Sequence, residues 1–130
     1  MLGLKESYQQ LWKAVIRPER MDYDELELGE KIFLLQNRPF VRTDYTLDNN
    51  EGLTLKCSHY EPKTRPCKQL PCVIYCHANS SSRLGAKECI ETVLLNFCTL
   101  FTFDFAGSGL SEGKYISLGY YEKEDLAEVI

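Results

Sequence analysis

Hydrophobic positions change their period along this chain, and each change marks an element. Leu4, Tyr8, Leu11, Trp12 and Val15 recur at helical spacing, which predicts an amphipathic helix over residues 4–16 that Arg17-Pro18 ends. Its apolar face is expected to pack on the main body. From Arg20 to Leu35 the chain is charged and weakly patterned, as befits a connector with one short edge strand around Ile32 to Leu35. Val41, Thr43, Tyr45 and Leu47 then alternate with polar residues, Asp48-Asn49-Asn50-Glu51-Gly52 supplies turn chemistry, and Leu53, Leu55 and Cys57 resume the alternation. That pattern is a β-hairpin, with strands near 41–47 and 53–59. The loop from Pro62 to Pro71 is rich in proline and cations, and its prolines forbid a central strand.

After Pro71 the alternation gives way to Cys72-Val73-Ile74-Tyr75-Cys76, a continuous apolar run, and a second such run spans residues 98–105. Strands apolar on both faces belong inside a parallel sheet covered by helices. Between the two runs Ala86, Cys89, Ile90, Val93, Leu94 and Phe97 form one helical stripe, with Ser81 or Ser82 placed to cap its first turn. The unit is a βαβ crossover, expected to be right-handed. A last helix is expected from Ser117 or Gly119, with Leu126, Val129 and Ile130 as its core stripe. The class is therefore α/β: an antiparallel hairpin leading into parallel strands joined by crossover helices, with an amphipathic helix in front.

Charge and cysteine content narrow the partners. Fifteen basic against nineteen acidic residues give a formal charge of -4, with no basic run and no interleaved cation and aromatic stripe, which excludes nucleic acid. The six cysteines, Cys57, Cys67, Cys72, Cys76, Cys89 and Cys98, invite a disulfide or zinc reading. Local context supports neither. The sequence shows no secretory signal and no apolar run of bilayer length, so a cytoplasmic location with reduced thiols is the expectation. Cys67, Cys72, Cys76 and His77 cluster without a C-x2-C spacing, so no metal is expected and the cysteines should act as small buried hydrophobes. Lys5 and Lys13 are the only cations on the polar face of the first helix, which argues against membrane contact.

The chemistry-bearing stretches lie at strand ends. Strand 72–76 runs into His77-Ala78-Asn79-Ser80-Ser81-Ser82-Arg83 and then a helix, so small polar residues fill a turn at the carboxyl end of a parallel strand. Open α/β sheets place ligands there. The second run continues into Asp104-Phe105-Ala106-Gly107-Ser108-Gly109-Leu110-Ser111-Glu112-Gly113. In this order the two motifs resemble the amino-terminal half of an α/β-hydrolase, nearest to the serine aminopeptidase-like and dienelactone-hydrolase-like groups, over about residues 41–130. The resemblance divides the chain into an amino-terminal helix and connector, 1–39, and a partial hydrolase domain, 40–130.

It also implies roles. The turn after the first parallel strand would lend backbone N–H groups of Asn79 and Ala78 to an oxyanion hole, with Ala78 standing where the family usually has glycine. If that position needs positive φ, alanine costs on the order of 1 kcal/mol. Gly109-Leu110-Ser111-Glu112-Gly113 fits G-x-S-x-G, but a nucleophile elbow needs the serine to end a strand and a helix to begin at once. Ser111 meets neither condition. Its loop, with Gly107 and Gly109, is expected to border the cleft with Ser108, while Asp104 braces the turn through backbone N–H bonds. His77 precedes every candidate nucleophile, against the family's order of serine, acid, histidine, and is expected to hold the turn instead. His59 should be a surface or edge residue. Nucleophile, acid and base are expected after Ile130.

The function so implied is part of a serine-type hydrolase of esters, thioesters or peptide amides. It would use no cofactor and take a small-molecule or peptide substrate in the complete protein. The alternative is a non-catalytic, degenerate hydrolase fragment or interaction protein, self-associating through an open sheet edge at strand 98–105. Dinucleotide binding is excluded because the first βα turn lacks G-x-G-x-x-G.

Overall fold

The computed structural model describes residues 3–130. An amphipathic helix α1 (Leu4–Ile16) and a 3₁₀ turn (Glu25–Leu28) precede five strands, β1 (Ile32–Leu35), β2 (Arg38–Asp48), β3 (Thr54–Pro62), β4 (Cys72–Tyr75) and β5 (Thr99–Phe103). The crossover between β4 and β5 holds a 3₁₀ turn (Arg83–Glu88) and α2 (Ile90–Leu95), and α3 (Glu122–Val129) closes the order. Ser82 caps the crossover, its Oγ accepting from the Leu84 amide. Gln36 and Asn37 both take positive φ, 47° and 61°, which makes the β1–β2 connection a tight hairpin turn.

The sheet runs β1-β2-β3-β5-β4, with β4 and β5 parallel and every other pair antiparallel. The predicted hairpin and the parallel pair are thus both present. Contrary to what its apolar run suggests, strand 98–105 is not the open edge. β5 lies inside, paired to β3 on one side and β4 on the other, and the edge at that end of the sheet is β4. Burial explains the choice, because Thr99, Leu100, Thr102 and Phe103 of β5 are each no more than 2% exposed whereas Val73 of β4 is 40% exposed. A central place removes both faces and both edges of β5 from water. The run Cys72 to Cys76 is apolar without being covered on both faces.

Two clusters form the core, one on each face of the sheet. Phe40, Tyr60 and Leu100 pack with Ala86 and Leu94 of the crossover, while Leu55, Cys57 and Phe103 pack with Leu126 and Val129 of α3. Ile130 stands outside the last helix and is 88% exposed, so it is not part of that stripe. Phe97 also leaves its stripe, because the chain turns through positive φ at that residue just after α2 ends. Of the cysteines only Cys57 is a buried hydrophobe, and burial pushes its thiol up to about 12. Cys67, Cys72 and Cys76 are exposed, on the proline loop and at the edge strand. His59 sits on the interior strand β3 beside the Phe101 ring, not at an edge.

The helix α1 forms where its periodicity puts it, with the Glu6 carboxylate accepting from the Gly3 amide at its start. It does not pack on the body as expected: no residue of α1 is buried, and Leu4, Tyr8, Leu11 and Val15 are at least half exposed. Its carboxyl end is tied down by the Ile116 amide, which donates to the Ile16 carbonyl at 2.8 Å. No helix among the described residues is long and apolar enough to cross a membrane.

Core and helix therefore differ in what truncation costs. Phe103→Ala, at a side chain with no exposure, is expected to lower unfolding stability by about 3–5 kcal/mol. Leu11→Ala on the exposed helix should stay within about 0.5 kcal/mol. Urea denaturation of the two variants checks the contrast.

Candidate active site

Parallel pairing of β4 and β5 brings their carboxyl ends side by side, so the segments His77–Arg83 and Asp104–Gly113 become neighbouring loops. His77 joins them. Its Nε2 accepts from the Phe105 amide at 3.1 Å, which leaves the proton on Nδ1, 2.8 Å from the Ala78 carbonyl. Both ring nitrogens are occupied in holding the turn, and the ring meets Phe105 edge-on at 5.1 Å.

Within the turn it is Ser80, at φ 57°, that takes the left-handed conformation, not Ala78. Alanine at position 78 is therefore unstrained. The Asn79 Oδ1 accepts from the Ser80 amide and the Ala78 carbonyl from the Ser81 amide. The amides of Ala78 and Asn79 donate to no protein atom among the described residues. Both residues line a cavity of about 350 Å³ with His77, Phe105, Ser108, Ile116, Leu118, Gly119 and Glu122.

Ser111 does not border this cavity, which corrects the expectation. It is 1% exposed; its Oγ donates to the Asp104 carbonyl at 2.6 Å and accepts from the Lys56 amide at 2.9 Å. Those two bonds pin the loop to β3 and engage the hydroxyl as both donor and acceptor. Ser108 is the loop serine that reaches the cavity.

Beneath the loops lies Asp104, with no solvent exposure. Its Oδ1 accepts from the Arg83 amide at 2.6 Å, and its Oδ2 from the Leu110 amide at 3.0 Å and the Tyr23 hydroxyl at 2.7 Å. The backbone bonds are those its place in the motif suggested. Tyr23 was not legible, since it lies in the charged connector where no period marks it. The Arg83 Nε donates to the Tyr23 oxygen at 2.8 Å and a terminal nitrogen of Arg83 pairs with Glu25 at 3.2 Å, so connector, turn and loop share one buried network. Burial, with Asp104 next to it, raises the Tyr23 phenol far above its ordinary range and keeps it a neutral donor. Arg83 closes the turn motif of residues 77–83, and a cation just ahead of an apolar helical stripe is the signal the sequence carries for it. Gly109 is required here, because at φ 49° any Cβ would run into the Asp104 carboxylate. Gly107 is constrained likewise by the Tyr115 carbonyl.

Glu122 opens α3 and reaches back to the loop before it. Its carboxylate accepts from the Ser117 amide and hydroxyl and from the Gly119 amide. Partial burial pushes the carboxyl up, but these bonds outweigh it and hold the group below its ordinary value of 4.5.

No protein-family model matches the chain, and neither does any curated protein. Solved structures do. An esterase of Pyrococcus furiosus superposes with a TM-score of 0.65 at 23% identity, over 88% of this chain and 40% of its own. A second crystal form of that esterase gives 0.63 at 22% identity over 87% and 40%. A hypothetical protein of Pseudomonas aeruginosa gives 0.62 at 20% identity, over 78% of this chain and 30% of its own. The chain thus spans well under half the length of these neighbours, and at such identities the likeness is one of fold. That fold is α/β, an antiparallel hairpin leading into parallel strands joined by a crossover, as in the sheet of an α/β-hydrolase.

Removing the Asp104 carboxylate strips the Arg83 amide, the Leu110 amide and the Tyr23 hydroxyl of their buried acceptor and leaves the Arg83 guanidinium only the half-exposed Glu25 as a counter-charge. Asp104→Ala is expected to cost about 3–5 kcal/mol in urea denaturation. Glu122→Gln should show a pH signature. A carboxyl whose folded pKa is depressed stabilises above its unfolded value and loses that contribution as pH falls through the folded one. The stability gap between wild type and Glu122→Gln is expected to be full above pH 4.5 and to close below it.

Proposed function

We propose that this chain carries the oxyanion turn of a serine-type α/β-hydrolase acting on esters, thioesters or peptide amides. Ala78 and Asn79 are its donors, and nucleophile, acid and base lie outside these 130 residues. The observation that carries the reading is the pair of unbonded amides at the carboxyl end of β4, on a cavity where Phe105, Ile116 and Leu118 face His77, Ser108 and Glu122. Donors fixed before the reaction stabilise charge as it develops on a substrate oxygen, and Ala78 and Asn79, both exposed, are within reach of one. Ala78 leaves those amides open to substrate, since its side chain is a single methyl group. His77, Asp104, Gly107, Gly109 and Ser111 hold the turn and loop in place and touch no reacting atom. A serine is a nucleophile only beside a base, and the Ser111 hydroxyl is bonded to backbone groups alone. The fold of the Pyrococcus esterase is in keeping with this reading.

The test has two arms. In the 130-residue chain a fluorophosphonate probe is expected to leave Ser111 unlabelled. The reading frame beyond Ile130 is expected to encode an apolar strand running into G-x-S-x-G, whose serine takes the probe. In that longer protein Asn79→Pro, which deletes one donor, should slow turnover about 10²–10³-fold. Stoichiometric labelling of Ser111, or a stop codon directly after Ile130 with no activity, would overturn the proposal.

A further inference from the structure

Two features meet at the carboxyl end of α1, away from the oxyanion cleft. One is the exposed apolar face of the helix, with Leu4 93%, Tyr8 68%, Leu11 68% and Val15 50% exposed. The other is a cleft of about 490 Å³ lined by Arg17, Arg20 and Lys114, together with Ile16, Gly107 and Gly113. No carboxylate lines it. Arg20 donates to the carbonyls of Ser111 and Gly113 at 3.2 and 2.6 Å, neutral acceptors that fix the guanidinium without neutralising it. Arg17 and Lys114 are exposed and form no ion pair among the described residues. The negative end of the α1 dipole offsets only about half a charge. Three unneutralised cations in a chain of net charge -4 therefore converge beside an unpartnered apolar helix.

We propose that α1 and this cleft dock on an anionic phospholipid surface, with headgroup phosphates among Arg17, Arg20 and Lys114 and the apolar face of α1 in the acyl boundary. A helix with a sharp apolar face, aromatic residues and nearby cations lies in the plane of such an interface. Tyr8 and Trp12 provide rings suited to headgroup depth, with the Lys13 ammonium 5.9 Å from the Trp12 ring. Tyr115, 51% exposed, sits one residue from the amide that binds Ile16 and extends the surface. The sequence showed two cations on the helix; the fold brings three more to its end. A second copy of the chain fits less well. A 13-residue helix is only about 20 Å long. Two such faces stacked together would bury far less than the roughly 1,200 Å² of a stable dimer, with like charges opposed. The surface is independent of the hydrolase reading and shares with it only the loop at 107–115.

Trp12 is the sole tryptophan and reports directly. Titrating the chain with vesicles of phosphatidylcholine and phosphatidylserine in equal parts should shift Trp12 emission to the blue. Pure phosphatidylcholine or high salt should suppress the shift. Arg17→Ala and Lys114→Ala are each expected to weaken partitioning about fivefold. Leu11→Glu should abolish it, with helix content checked by circular dichroism. The proposal is overturned by the absence of a shift, by an equal shift with neutral vesicles, or by arginine and lysine variants that bind as the wild type does. A shift produced by inorganic phosphate alone would assign the surface to a soluble anion, and one growing with protein concentration without lipid to a second copy; both overturn it.

Discussion

One carboxylate, that of Asp104, sets the relation among three segments that are far apart in sequence. It accepts from the amide that follows the β4 turn, from an amide of the loop after β5, and from a phenol of the amino-terminal connector. A carboxylate at 0% exposure survives only if its lone pairs are filled. Here three donors fill them and the Arg83 guanidinium stands 3.9 Å away. The consequence is geometric. With Arg83 held from one end and His77 bonded to Phe105 at the other, the turn between them has both ends clamped to consecutive residues of one strand terminus. The open amides of Ala78 and Asn79 lie between the clamps, so their placement follows from β5 more than from their own side chains.

A second polar group is buried on the same face of the sheet. Arg42, 4% exposed, contacts the Asp44 carboxylate, which also accepts from the Ser58 hydroxyl at 2.7 Å, and Arg42 donates to the Gly29 carbonyl at 2.8 Å. Burial pushes the Asp44 carboxyl up, yet the Ser58 bond and the Arg42 charge outweigh it and hold the acid low. Networks of this kind add little stability compared with an apolar core of the same volume, but they penalise any arrangement that leaves a member unpaired. Both networks recruit the connector, through Tyr23, Glu25 and Gly29. The segment between α1 and β1 is thereby tied to the sheet by directional bonds where it has few apolar side chains to bury.

That division explains which parts of the structure were legible. The alternation of residues 41–57 and the stripe from Ala86 to Leu94 report burial, and burial is a local property of hydrophobic spacing, so hairpin and crossover could be read directly. Strand order is a property of the whole sheet. Cys72 to Tyr75 and Thr99 to Phe103 have nearly the same apolar character, and only the competition for the central place, which β5 wins, separates an edge from an interior strand. The site divides in the same way. The backbone-binding roles of Asp104 and His77 follow from their positions at strand ends, whereas Tyr23 enters from 81 residues away with no pattern to announce it. The exposed face of α1 is not legible, because amphipathicity says that a helix has an apolar side, not what covers it.

The G-x-S-x-G match at Gly109–Gly113 shows the same limit at the scale of five residues. The chemistry of that pattern depends on a strand ending at the serine, so that the hydroxyl is pushed clear of the backbone. Here β5 ends at Phe103, and the intervening residues fold the chain back under Asp104. The flanking glycines admit positive φ at Gly109 and Gly113, as a nucleophile elbow would require of tight backbone, yet they serve a turn that buries the serine. Small residues and a serine are what any crowded turn selects. What separates anchor from nucleophile is which partner the hydroxyl finds, and in this chain it finds the Asp104 carbonyl and the Lys56 amide, so Ser111 fastens the rim of the cleft to the sheet.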